Sequence, residues 1–261
     1  MKNDSRREKV VLITGGSGGV GKATAKRFLA AKANVLLTDI NEQRLQDVTQ
    51  ELSSVGGRIR ALISDVSKVS DCEAAVAGAV NQFGRLDVLV NAAGVWVEGD
   101  SSRTTETEWD RVMDINLKGT YFMCSRAISE LKKTKGCIVN LSSDAGLRGL
   151  KGAAIYSASK GGVVLLSKAL AVELAPDLIR VNAVCPGDIM SPMLKYQAET
   201  YGDGDPEAYY RKCLSYYPQG ENARFIEPEE VADLIFFLAS DRAQPITGAA
   251  MTIDFGLTAG G

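Results

Sequence analysis

The chain contains no histidine, so any proton moved at a substrate oxygen must pass through another side chain. In "AIYSASKGG", residues 154–162, Tyr156 precedes Lys160 by four positions among small residues. On a helix that spacing puts both side chains on one face. A free phenol titrates near pH ~10, too high for a base close to neutrality, and an adjacent ammonium favours the phenolate. The pair could therefore act as an acid/base, although Tyr and Lys also meet at this spacing on exposed helices without any chemistry. Upstream, "IVNLSSDAG" sets Ser143 13 residues before Tyr156 and just past a strand. A hydroxyl there could hydrogen-bond a substrate oxygen as charge develops on it; the plainer alternative is a Ser-Ser turn at a strand end.

What is absent narrows the chemistry further. Without histidine there is no Ser-His-Asp or Cys-His catalysis and no histidine-ligated metal, and no metal site is expected. The five cysteines are widely spaced, with no C-x-x-C pattern, which suggests neither a disulfide framework nor a zinc site and fits a reducing cytoplasm. A formal net charge of -2 gives no reason to expect nucleic acid as a partner. The polar N-terminus lacks the apolar core of a signal peptide, and no apolar run reaches bilayer length, so no membrane partner is expected.

The elements that must position these groups are legible as an alternation. Apolar runs rich in β-branched residues occur at 10–14, 34–39, 58–65, 86–91, 137–142, 179–185 and 249–254, with helical periodicity between them, as in Leu45, Val48 and Leu52. Seven such strands with crossover helices predict an α/β, doubly wound Rossmann fold, a seven-stranded parallel sheet covered on both faces, with ligands at the carboxyl ends of its strands. No linker divides residues 1–261, so one domain is expected, with an irregular excursion at about 188–226.

The first strand runs into "TGGSGGVGKATAKRFLA", where Thr14, Gly15, Gly19 and Gly21 open a helix. Such a turn lets backbone N–H groups and the helix dipole meet a pyrophosphate, which a Cβ at Gly19 would obstruct. A tight strand-to-helix turn is the alternative. Asp39 closes the second strand; a carboxylate there accepts from ribose hydroxyls and repels a 2′-phosphate, favouring NAD over NADP, and neither Gly18 nor Ile40 supplies a base for that phosphate. Capping the helix that follows would be its plainer role.

Taken together, "TGGSGGVG", "NAAG" (91–94), Asn116 in "DINLKGT", "SS" (142–143), "YSASK" (156–160) and "PG" (186–187) resemble the short-chain dehydrogenase/reductase family over nearly the whole chain. The resemblance implies Tyr156 as acid/base, Lys160 lowering its pKa and binding the nicotinamide ribose, Ser143 orienting the carbonyl or hydroxyl, and Asn116 holding a water in a proton relay. It also implies cofactor contacts from Gly15, Ser17, Gly19, Val20, Gly21, Asp39 and Ile40. Asp65 and Val66 would contact adenine, Asn91, Ala92, Ala93 and Gly94 would line the adenosine side, and Pro186, Gly187, Ile189 and Ser191 would border the nicotinamide. The sequence departs from the family at Ser191, at Asp188 and at "DFG" (254–256), where Asp-Gly-Gly is more usual.

Six of the eight tyrosines fall between Ser191 and Phe225. By resemblance this is a lid over the substrate, whose pocket would add Trp96, Asp144, Asp188 and Met190 to Ser143; alternatively the tyrosines pack the excursion onto the body. The apolar helices at about 105–132 and 152–175 are expected to form a homodimer or homotetramer contact. The expected activity is hydride transfer between NAD(H) and a secondary alcohol or its ketone, on a polyol, sugar or cyclic alcohol. The alternatives are a 3-oxoacyl-thioester-type ketone reductase and a non-catalytic NAD-binding scaffold.

Overall fold

A computed structural model describes residues 8–259. Seven strands, β1 (Val10–Thr14), β2 (Asn34–Asp39), β3 (Ile59–Ile63), β4 (Val88–Asn91), β5 (Cys137–Leu141), β6 (Arg180–Pro186) and β7 (Ala250–Ile253), form one sheet in the order β3-β2-β1-β4-β5-β6-β7. Every pairing is parallel. The order reverses beside β1: β2 and β3 lie to one side and β4 to β7 to the other. That reversal opens a crevice past the carboxyl ends of β1 and β4, where such sheets bind ligands.

β1 is buried at all five positions, as expected of a central parallel strand covered on both faces. One face is covered by α1 (Gly19–Ala30), α2 (Glu42–Leu52) and α9 (Pro228–Ala239), packed on Val11, Ile13, Val35 and Leu37. The other is covered by α3 (Val69–Phe83), α5 (Thr120–Thr134) and α6 (Ala154–Leu174), packed on Leu12, Leu36, Leu89 and Ile138. Alternate residues of one strand thus serve opposite cores. Each fully buried Leu or Ile contributes about 2 kcal/mol relative to exposure.

α6 is the helix that carries "YSASK". Among the described residues, Ala154–Asp177 has the length and hydropathy of a bilayer span, contrary to the expectation from the sequence, and half of that window is buried inside the fold. A buried polar chain fixes its height on the sheet. Asn91 Nδ2 donates to Asn140 Oδ1 at 2.8 Å, Asn140 Nδ2 to Ser167 Oγ at 2.9 Å, and Ser167 Oγ to the Val163 carbonyl at 2.7 Å. Ser142 Oγ adds a bond to the Lys160 carbonyl at 2.8 Å. Buried polar groups satisfied in this way define one register between helix and strand.

The other long helix is interrupted. α4 (Glu106–Val112), opened by a Thr105–Glu108 capping box, passes into π-helical turns at Met113–Gly119 before α5 continues. The excursion builds α7 (Pro192–Tyr201) and α8 (Pro206–Leu214), with a small core of Leu194, Ala198, Tyr209 and Phe225. Its base is closed by Met190 N–H to the Ile226 carbonyl and Ile226 N–H to the Asp188 carbonyl, both 2.9 Å.

Candidate active site

β1 ends at Thr14, whose Oγ1 accepts the N–H groups of Ala92 and Ala93 at 3.2 Å. The glycine loop is thereby pressed against "NAAG". Gly15 turns at φ 64°, and a Cβ there would come within 2.7 Å of the Ala93 backbone, so both conformation and space require glycine. α1 starts at Gly19 with no side-chain cap, which leaves its first N–H groups to the cleft. A Cβ at Gly19 would point at Ser191 Cβ, 3.2 Å away across that space. The cradle therefore fits an anionic pyrophosphate.

Asp39 is not the cap of α2, since Asn41 takes that place with Arg44 N–H as donor. Asp39 Oδ2 accepts from Ser17 N–H (3.0 Å) and Ser17 Oγ (2.7 Å), and Oδ1 from Asn41 N–H (3.0 Å). A carboxylate with three bonds keeps acceptor capacity for a ribose hydroxyl. The glycine loop and Asp39 share the wall of one cleft of about 670 Å³ with Ala92, Ala93, Gly94, Trp96, Ser143, Tyr156, Lys160, Pro186, Gly187, Asp188, Ile189 and Ser191.

At the far end, Tyr156 is buried, its ring against Trp96 with centroids 4.4 Å apart. Lys160, also buried, donates from Nζ to the Leu141 carbonyl at 2.8 Å and lies 5.7 Å from the Tyr156 ring centroid. Burial pushes the phenol well above its ordinary range; a hydrogen bond with Ser143 pulls it back, and the Asp144 and Asp188 charges push it further up. Burial also brings Lys160 down to about 8. Both groups are thus driven toward their neutral forms. The lowering of Tyr156 by Lys160, expected from their spacing, is not among the effects that set the phenol here.

Ser143 Oγ donates to Asp144 Oδ1 at 2.9 Å and accepts Ala145 N–H at 3.2 Å. Asp144 Oδ2 takes Arg148 at 3.0 and 2.8 Å. Asp144 lines the cleft, but both its oxygens are already in use. Asp188, next after Gly187, lines the same cleft as Tyr156, and its charge is felt by the phenol. Its Oδ2 accepts the Tyr217 hydroxyl at 3.2 Å, and burial, then the Asp144 charge, raise its carboxyl to about 6.

Six expected residues do not line the cleft. Asn116 lies within the π-helical turns, accepting Val95 N–H (2.8 Å) and donating to the Val95 carbonyl (3.0 Å) and Ser159 Oγ (3.1 Å). It braces the loop after β4 to α6. Asn91 is buried with its Nδ2 donating to Asn140 and its Oδ1 left without a partner, and Ile40 is 67% exposed. Asp65 Oδ1 is taken by Ser67, Val66 is buried beneath Gly119, and Met190 packs into the α7–α8 core. The wall also contains Arg44, Arg111, Leu150 and residues of α7, including Met193 and Tyr196. Arg44 lies on the face of α2 beyond Asp39 and carried no motif; the α7 residues follow Ser191 directly. Of the lid tyrosines only Tyr196 reaches the cleft wall, and most of the others pack the excursion itself.

Comparison with known proteins agrees with this geometry. A family model described as enoyl-(acyl carrier protein) reductase matches residues 15–258. The chain is 39% identical to a meso-2,3-butanediol dehydrogenase of Serratia marcescens over 96% of its length and 95% of that protein's. It is equally 39% identical to a 3-oxoacyl-(acyl-carrier-protein) reductase of Thermotoga maritima, over 95% and 97%. A crystal structure of an actinorhodin polyketide ketoreductase with NADPH superposes with a TM-score of 0.91 at 34% identity, over 96% and 97% of the two chains. The chain belongs to the short-chain dehydrogenase/reductase family.

Proposed function

We propose that this protein transfers hydride between NAD(H) and a secondary alcohol or ketone, with oxidation as the working direction. The observation that carries this reading is a single cleft with Asp39 and an uncapped glycine-rich helix start at one end and Tyr156, Lys160 and Ser143 at the other. The N–H groups of Gly19, Val20 and Gly21 would hold the pyrophosphate, Asp39 the ribose, and Pro186 to Ser191 would border the nicotinamide. When bound, the dinucleotide supplies the hydride acceptor and, in its oxidised form, a positive charge.

The substrate oxygen would lie between the Tyr156 and Ser143 hydroxyls. Tyr156 takes its proton as hydride leaves the carbon, and Lys160 supplies the charge that a buried phenolate needs. Ser143 must turn its one proton from Asp144 to the substrate oxygen. Asn116 keeps α6 and the loop after β4 in register, and holding a relay water would be a further role for it. Trp96 walls the phenol from solvent, which strengthens every charge interaction around it.

A second reading, reduction of a 3-oxoacyl thioester with NADPH, is favoured by Arg44, a cation beside Asp39 on the cleft wall. The test is the rate of NAD and NADP reduction with a panel of polyols, cyclic alcohols and hydroxy acids. Turnover with NAD, lowered 10²-fold or more in Tyr156→Phe while NADH still binds, is expected from loss of a general base. Faster turnover with the phosphorylated cofactor at equal subsaturating concentration would hand the site to the second reading. Bound NADH with no turnover of any substrate would favour a scaffold. The five free cysteines support a reducing, cytoplasmic setting.

A further inference from the structure

Given hydride transfer at Tyr156, the charges around the phenol bear on which alcohol fits. Three carboxylates crowd this end of the molecule. Asp144 already has a partner on each oxygen, Ser143 on Oδ1 and Arg148 on Oδ2. Glu98, which does not line the cleft, accepts the Tyr209 hydroxyl on Oε2 at 2.8 Å. Asp188 lines the cleft with one oxygen open: Oδ2 accepts from Tyr217, and among the described residues Oδ1 has no hydrogen-bond donor. Arg148, whose charge reaches it, is bonded to Asp144 instead.

Asp188 is also held in place. Its N–H donates to the Tyr217 hydroxyl at 2.6 Å, and its carbonyl accepts Ile226 N–H at 2.9 Å. The Tyr217 ring that anchors it is itself buried. Asp188 lines the same cleft as Tyr156, and its charge is felt by the phenol. Asp188 is half-buried and water reaches its open oxygen; a ligand that displaces that water keeps the oxygen satisfied only if it brings a donor of its own.

We propose that Asp188 Oδ1 accepts a hydrogen bond from a second donor on the substrate, selecting secondary alcohols that carry a nearby hydroxyl or ammonium group. Simple alcohols leave the oxygen unpaired. Hydroxy acids bring a third negative charge against Asp188 and Asp144, neither of which has a free cation to offer. Sites built to bond a substrate group discriminate strongly against analogues that lack it.

The proposal rests on the reaction above, so the test compares efficiencies within that reaction. With purified full-length protein and NAD, kcat/KM is measured for cyclohexane-1,2-diol, 2-aminocyclohexanol, cyclohexanol and 2-hydroxycyclohexanecarboxylate. The diol, the amino alcohol or both should exceed cyclohexanol at least tenfold, mainly through KM, and the acid should be poorest; which of the two leads tells a hydroxyl from an ammonium donor. In Asp188→Ala, shown by NADH fluorescence to bind cofactor, the ratio to cyclohexanol should fall toward one. Equal use of cyclohexanol by the wild-type protein, a comparison that needs no variant, overturns the proposal alone, as does an unchanged ratio in Asp188→Ala. No oxidation of any alcohol while NADH binds overturns the reaction and this proposal together.

Discussion

Asp188 ties substrate choice to stability at the scale of one residue. Its carboxyl is raised from the ordinary range to about 6, so its ionised form is worse off folded than unfolded. The cost is absent below the unfolded pKa near ~4 and fully present above about 6, so stability falls as pH rises through that window. Asp188→Asn keeps the shape and removes the charge. Its melting temperature relative to wild type should rise by several degrees between about pH 4.5 and 7.5, on the order of 2–3 kcal/mol; a constant difference would show that solvent already screens the charge. Tyr156, Lys160, Ser143 and Asp39 were legible from sequence because strand ends and a four-residue helical step dictate where their side chains go. The commitments of Asp144 were not. They depend on Arg148 reaching back over one short turn, and an aspartate after Ser143 reads equally well as a free acceptor.

At the level of elements, the start of α1 does most of the positioning. Gly19 is not among the glycines with positive φ, so its backbone tolerates a side chain and only the space forbids one. Gly19→Val should weaken NADH binding at least tenfold by fluorescence titration, in protein whose circular dichroism shows it folded, with some loss of melting temperature because the new side chain presses on Ser191, Pro192 and Pro228. Unchanged binding would mean that the pyrophosphate lies elsewhere. The strands and α2, with Leu45, Val48 and Leu52 on one face, follow directly from hydrophobic period. The π-helical turns do not, because an extra residue per turn leaves the apolar spacing of "MDINLKG" close to helical. Such turns are frequent at functional sites, and here they carry Asn116 to both Val95 and Ser159. The tyrosine cluster was open to two readings because a count of aromatic residues says nothing about which ones face a cavity.

For the whole molecule, α6 buries one side on the sheet and leaves Leu165 66% and Val172 79% exposed, with Trp109 and Tyr121 on the adjoining helices also exposed. Apolar exposure on these neighbouring helices supports the proposal that a second copy covers them. Light scattering at micromolar concentration should give a dimeric or tetrameric mass, and Leu165→Glu with Val172→Glu should lower it; a monomeric wild type would remove the proposal. Strand order also bears on synthesis. From β5 onward each new strand joins the edge left by the one before it, so that half of the sheet can grow outward in the order in which the ribosome releases it. The turn bearing Asp188 follows β6, and Gly187 N–H bonds the carbonyl of Ile253 on β7. The substrate wall therefore receives its last backbone bond only when the last strand leaves the exit tunnel, and a nascent chain stalled before residue 250 would hold Asp188 by Tyr217 and Ile226 alone.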